Sequence, residues 1–320
     1  MIMLKIKRNK EVSIFKKIVQ YLKASRVDGW YISIIFFILG EWYAISNFPI
    51  FYTIIGLICL IGFMTTGFWI NYIFDKDVDI KAGKDLSFFK YISTREMFFA
   101  SIFVFLICSI ILLIFVNILS FLLGFSIFVL GFLYSAPPIR LKTRPPFDVF
   151  ANGLGGSFAF LLGWSVSDIS LNFTAFIGSI VIGLAVGSHY FFYTSFDIET
   201  DNECNVKTSC TMLGFDNSLS IGIVIFFIAF LFSFFYLDFT VLSISFLINI
   251  PLIVSLKIVK NKNIVLFLVG GIFLLWSFSV SMILTIYSYS IITMFISFVS
   301  FLFLLYFLIS IRYYFSNSLV

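Results

Sequence analysis

The stretch NYIFDKDVDIKAGKD, Asn71–Asp85, places four acids and three lysines directly behind the apolar run 50–70. If that run is a helix that continues past its apolar end, Asn71, Asp75 and Asp79 stand at i, i+4 and i+8. Each step of four turns a helix only about 40° beyond a full turn, so the three side chains share one face and Asp77 points away from it. The cluster therefore reads as a polar face built on the continuation of a greasy helix.

The rest of the chain supports a greasy setting. Of 320 residues, 61% are hydrophobic and 12% are charged, against about a quarter charged in soluble domains. A run of about twenty apolar residues crosses a bilayer as a helix. Ten such runs can be read: 30–46, 50–70, 96–116, 118–135, 149–167, 173–194, 217–237, 239–256, 264–287 and 289–311. The runs are continuous rather than alternating, which argues against a barrel. The expected fold is all-α, a polytopic transmembrane helical bundle of nine or ten spans, with residues 1–28 as a basic cytosolic or interfacial leader and 29–320 as one transmembrane domain. No cleaved signal peptide is expected. The four cysteines suggest free thiols rather than a disulfide framework or a zinc site.

Cations set the expected orientation. All twenty-one lysines and arginines fall before the first run, in alternate loops or after the last run, on one side. The positive-inside rule then puts both termini and the acid-bearing loops in the cytoplasm, in a multi-pass cell-membrane protein. Within the leader, Ile14, Phe15, Ile18, Val19 and Leu22 form a stripe at helical spacing flanked by lysines. It suits an interfacial amphipathic helix and equally a solvated topogenic leader.

A second acidic stretch, DIETDNECN, follows the run 173–194. Asp197, Asp201 and Asn205 repeat the i, i+4, i+8 spacing, with Glu199 on the other face. The two stretches follow the second and sixth runs, 126 residues apart, which suggests two four-helix-type repeats around a central cavity. Magnesium takes oxygen ligands and is usually held by one or two carboxylates plus substrate phosphates. Two such faces on one side could hold Mg2+ ions around a diphosphate, with Asn71, Asp75, Asp79, Asp197 and Asp201 as ligands. Arg140, Lys142, Arg144 and Lys207 lie on the same side and could clamp phosphate, as could Lys81 and Lys84. Because Pro137, Pro138, Pro145 and Pro146 disfavour regular helix, Arg140, Lys142 and Arg144 are expected to alternate along an extended segment and share a side.

These motifs resemble those of the UbiA superfamily of intramembrane prenyltransferases. NYIFDKDVD is similar to its first acidic motif, DIETDNECNVKT to its second, and YSAPPIRLKTRPPFDVFANGLG, beginning at Tyr134, to the stretch between them. Tyr72 stands where the family often has Asp and Asn205 where it often has Gly, and KAGKD replaces a frequent Arg-Pro. The resemblance implies that Asp75, Asp79, Asp197 and Asp201 are catalytic, that the cofactor is Mg2+, and that Tyr134 and Ser135 join the basic residues at the diphosphate. It also implies the partners: an isoprenyl diphosphate, a lipophilic acceptor and the lipid bilayer, with no nucleic acid. Loss of diphosphate gives an allylic cation that alkylates a polyene, tetrapyrrole or aromatic lipid precursor. The middle motif leans towards the lycopene elongase and chlorophyll synthase branch, and so towards carotenoid biosynthesis.

Four further residues have two readings each. His189, the one histidine, stabilises a cation or is packed by hydrogen bonds. Asn152 faces the cavity or merely enters the fifth span. Asp148 joins the phosphate network or caps a helix. Glu41 is an intramembrane functional acid or an interface residue. The competing class is a secondary transporter of an anionic or lipid-like substrate. It would place its polar residues and helix breaks near the midplane, whereas these acids sit at helix ends.

Overall fold

A computed structural model describes residues 14–45, 48–81, 83, 85–236, 240–259, 261–288 and 290–318. Lys84 and the first thirteen residues lie outside the described set. Among the described residues all regular structure is helical. The order is α1 Ile14–Ala24, α2 Val27–Ala44, α3 Ile50–Lys81, α4 Thr94–Phe115, α5 Ile118–Ser135, α6 Phe147–Ser165 and α7 Phe173–Thr194. There follow α8 Ile198–Glu203, α9 Ser209–Leu213, α10 Phe215–Tyr236, α11 Thr240–Ile258, α12 Lys262–Ser288 and α13 Ile291–Ser318. Within the described residues all ten apolar runs are helical. Among the described residues eight helices are long and apolar enough to cross a membrane, those based on α3, α4, α5, α7 and α10–α13.

The two that fall outside that set, α2 and α6, form the middle of the bundle. Ile35, Phe36, Phe37, Ile38, Leu39 and Glu41 of α2 are all buried, as expected for a helix that is apolar all round. α6 carries Asp148, Asn152 and four glycines, and buries most of its length. The two helices approach to backbone contact through Gly40 and Gly163. A Cβ at Gly40 would lie 1.8 Å from the Phe160 carbonyl oxygen, and one at Gly163 would lie 1.8 Å from that of Phe37. The contact is reciprocal, each glycine facing the carbonyl three residues before the other. With no hydrophobic drive between helices in lipid, such close packing of small residues is what holds them together.

Local chemistry fixes the helix ends. Ser93 and Glu96 form a capping box at α4, and Asn117 and Asn172 cap α5 and α7 through their side chains, each supplying acceptors to otherwise unpaired N–H groups. The Asn117 amide also donates to the Ser165 carbonyl at 2.8 Å, tying the start of α5 to the end of α6. A contiguous apolar core runs from Tyr31 to Ile296.

Candidate active site

α3 runs unbroken for 32 residues to Lys81, so the first acidic motif does lie on a helix that outruns its apolar part. Asp75 and Asp79 are buried and Asp77 is exposed, in keeping with the face expected from spacing. The Asn71 amide donates to Asp75 Oδ2 at 2.6 Å and to Ser135 Oγ at 3.1 Å, joining α3 to the end of α5.

Two cations from the α5–α6 loop close on the same carboxylate. Arg140 Nη2 donates to Asp75 Oδ1 at 3.0 Å, and Lys142 Nζ pairs with Oδ2. The loop is not extended as its prolines suggested. Arg140 adopts φ 42°, and Leu141–Thr143 make a 3-10 turn. Alternation therefore fails as the reason these residues converge, and only two of the three do so. Arg144 instead donates to the Pro138 carbonyl at 2.7 Å within its own loop. Burial depresses the Lys142 pKa, opposed mainly by the field of Asp75. Because the unfolded lysine binds its proton more tightly, this residue's contribution to stability rises with pH between the depressed value and the usual 10.5. The Arg140 Nε–H is buried and has no hydrogen-bond partner, an orphan donor beside a carboxylate. A part-buried guanidinium with a spare donor is suited to a phosphate oxygen.

The second motif departs further from its sequence reading. α7 tightens into a 3-10 turn at Ser195–Asp197, α8 covers only Ile198–Glu203, and Asn205 lies beyond it at φ 55°. Asp197 and Asp201 thus keep helical spacing, but Asn205 leaves their face. Asp197 is exposed, Asp201 is half-buried, and Lys207 is exposed. Thr208 Oγ1 lies 3.5 Å from Asp201 Oδ2.

Asp148 organises the space between the motifs. It is fully buried. Its Oδ2 accepts from Tyr190 Oη at 2.7 Å and from the Ser209 N–H at 2.6 Å, and its Oδ1 accepts from Ser209 Oγ at 2.5 Å. A carboxylate with three donors is well satisfied, and it clips α6 to α7 and α9. Asn152, one turn on, donates to the Asp148 carbonyl and hydrogen-bonds Tyr134. Tyr134 lies within the electrostatic field of Asp148, Asp75 and Asp201 together, so the α5 end, the first motif and the second motif share one end of the bundle. Burial, then the field of Asp148, Asp201 and Asp197, pushes the Cys210 thiol up to about 12, which leaves it a poor nucleophile. All four cysteines are free.

The roles of Tyr190 and Ser209 escaped the sequence reading. Thr208 was in view as the last residue of the second motif, and with Thr211 it makes a capping box at α9. His189 stacks on Phe273 with ring centroids 4.0 Å apart and lines a narrow apolar cavity with Phe36, Phe192, Phe246 and Trp276. This cavity is offset towards α7 and α10–α12, and no α3 residue lines it. Glu41 is not an interface residue: it is fully buried and accepts from Thr53 Oγ1 at 2.5 Å.

Among the described residues no three His, Cys, Asp or Glu groups gather closely enough to hold a metal ion. The donors that the two motifs present are nevertheless all oxygen, from four carboxylates and the Asn71 amide, which fits a hard cation such as magnesium. The orphan Arg140 donor beside them fits an anion accompanying it.

Fold and site together define a polytopic helical membrane protein that gathers carboxylates and cations at one end of its bundle. The chain belongs to the UbiA prenyltransferase family, whose model matches residues 33–266. It is 35% identical over 88 residues to a lycopene elongase/hydratase of Haloarcula japonica and 38% identical over 93 residues to one of Halobacterium salinarum. These matches cover 27% and 29% of this chain and only 28% and 33% of those relatives. In fold it is similar to a UbiA homologue from Archaeoglobus fulgidus bound to DMAPP and Mg2+, with a TM-score of 0.61 and 20% identity over 89% of this chain and 99% of that one.

Proposed function

We propose that this prenyltransferase moves an isoprenyl group from an isoprenyl diphosphate to a hydrophobic polyene, with Mg2+ at the two acidic motifs. The observation that carries the reading is the convergence of Arg140 and Lys142 on Asp75, with Tyr134 in the field of Asp75, Asp148 and Asp201. It unites metal-type oxygen donors with phosphate-type cations. Asn71, Asp75, Asp79, Asp197 and Asp201 would hold the metal, which when bound neutralises charge on the departing diphosphate. Arg140 and Lys142 bind and orient the phosphates, and the buried Asp148 network holds the second motif in place. The allylic C–O bond breaks with its electron pair on the diphosphate. The acceptor's π electrons then form the new C–C bond, and the acceptor loses a proton. The two lycopene elongase relatives support a polyene acceptor, as does the 134–155 motif. The reciprocal Gly40–Gly163 contact supports a two-fold repeat, with α2 and α6 as additional spans. The one-sided cations support cytosolic termini and a cytosolic site.

The acceptor is tested by incubating membranes holding the protein with isoprenyl diphosphates of several lengths and a carotenoid extract, then weighing the products. A polyene gaining one isoprenyl unit is expected; adducts confined to quinone precursors would move the protein to another acceptor.

Two further outcomes follow from the site. Arg140→Lys should keep topology but weaken use of the diphosphate substrate, because an ammonium cannot replace the guanidinium's forked donors. Lys142→Ala should weaken it further, since it leaves a buried carboxylate under-compensated. KM and kcat for the diphosphate are the readouts. For orientation, a cysteine placed at Asp168, in the α6–α7 loop, should react only with a reagent applied from outside. Reaction only from the cytosol would invert the topology.

A further inference from the structure

We propose that α1 is an interfacial helix: its outer face enters the boundary between headgroups and acyl chains of an anionic bilayer surface, while its inner face grips the segment behind the first acidic motif. The inner grip is explicit. Gln20 and Ala24 are buried, and Ala24 packs in a small cluster with Trp69, Phe88, Ile92 and Met97. Tyr21 lies tilted against Trp69 with ring centroids 5.0 Å apart, Lys17 pairs with Glu96 at 2.6 Å, and Lys16 sits over the Tyr91 ring. Trp69 lies two residues before Asn71 on α3, so α1 braces the helix that carries Asp75 and Asp79.

The opposite face carries a different chemistry. Ile14, Phe15, Ile18 and Leu22 are each more than half exposed. At about 100° per residue they fall, with Val19, within a stripe about 140° wide, and Lys16 and Lys23 lie along its edge. Exposed apolar residues edged by lysines have the pattern of a helix lying in a membrane interface. Charge and chain path identify the occupant. Lys23 and the basic residues Lys5, Lys7, Arg8 and Lys10 upstream suit anionic headgroups. Two residues after α1 the chain turns through Arg26 at φ 48° into α2, which is buried in the bundle. α1 is thereby set at the level where the bundle meets the surface.

The test uses single cysteines in a Cys204→Ser background, the other three native cysteines being buried. Ile14→Cys, Ile18→Cys, Leu22→Cys and, as a water-exposed control, Asp77→Cys are labelled with an environment-sensitive fluorophore. The protein is reconstituted in phosphatidylcholine vesicles with increasing phosphatidylglycerol. Brominated acyl chains should quench the three α1 labels several-fold more than the label at 77, with quenching rising as phosphatidylglycerol rises. Iodide should quench the control alone. The proposal is overturned if iodide quenches the α1 labels as it does position 77, which would mean a solvated leader. It is equally overturned if neither quencher reaches them, or if labels on two chains form excimers, which would put protein on that face.

Discussion

Asp75→Ala is expected to abolish isoprenyl transfer while the protein still inserts and its bundle remains helical. Asp75 is the point at which Asn71, Arg140 and Lys142 meet. Its loss removes a proposed magnesium ligand and leaves two cations, one of them largely buried, facing each other. Removing one electrostatic stabiliser of a leaving group costs a hundredfold or more in rate. Because a broken buried pair also costs about 3–5 kcal/mol of stability, Asp75→Asn is the cleaner companion. It keeps the shape and a hydrogen bond to Asn71 but not the charge. Both should lose at least a hundredfold in kcat/KM for the diphosphate, and Asp201→Ala should behave likewise. Asp77→Ala and Glu199→Ala change exposed carboxylates and should retain most activity. Equal losses at Asp77 and Asp75 would break the helical-face argument.

The second large effect concerns folding. Gly40→Ala and Gly163→Ala each drive a methyl group to within 1.8 Å of a carbonyl oxygen on the neighbouring helix. The obstacle is backbone, so no rotamer change relieves it and α2 and α6 must separate. Overpacking of side chains typically costs about 1–3 kcal/mol, and a backbone collision at the centre of the bundle should exceed that. Loss of the folded, monodisperse fraction in detergent is expected for both. Gly155→Ala, on the same helix as Gly163, meets nothing within 4 Å and should leave the melting temperature nearly unchanged. A normal melting curve for Gly163→Ala would mean that these two helices do not meet as described.

The helices were legible because lipid leaves the backbone no alternative to internal hydrogen bonding. A continuous apolar run of twenty residues has one structural solution, and the described residues of all ten runs took it. The first acidic face was equally readable, since Asn71, Asp75 and Asp79 ride on one unbroken helix. The second was not, because where a helix tightens and stops depends on tertiary contacts. The Asp148 carboxylate and Thr208–Ser209 pin the chain there, and Asn205 swings out of register. The α5–α6 loop shows the same limit. Proline restricts φ locally but does not dictate where the following side chains aim, so Arg140 and Lys142 reach Asp75 through a left-handed residue and a 3-10 turn, and Arg144 turns back. Glu41 and Asp148 were ambiguous for a related reason. Burial of a single acid is decided by which helices pack around it, and only α2 against α6 and the α7–α9 connection reveal that.

The central claim is that the acid-and-cation end of this bundle splits isoprenyl diphosphates. It is tested most directly by release of inorganic diphosphate. Purified protein in lipid is given an isoprenyl diphosphate and a polyene extract, with Mg2+ or with excess chelator. The account predicts release with Mg2+, none with chelator, restoration when Mg2+ is returned, and a loss of at least a hundredfold in Asp75→Asn. Release that is indifferent to chelator and to Asp75→Asn, or none from any chain length by folded protein with Mg2+ present, would contradict it.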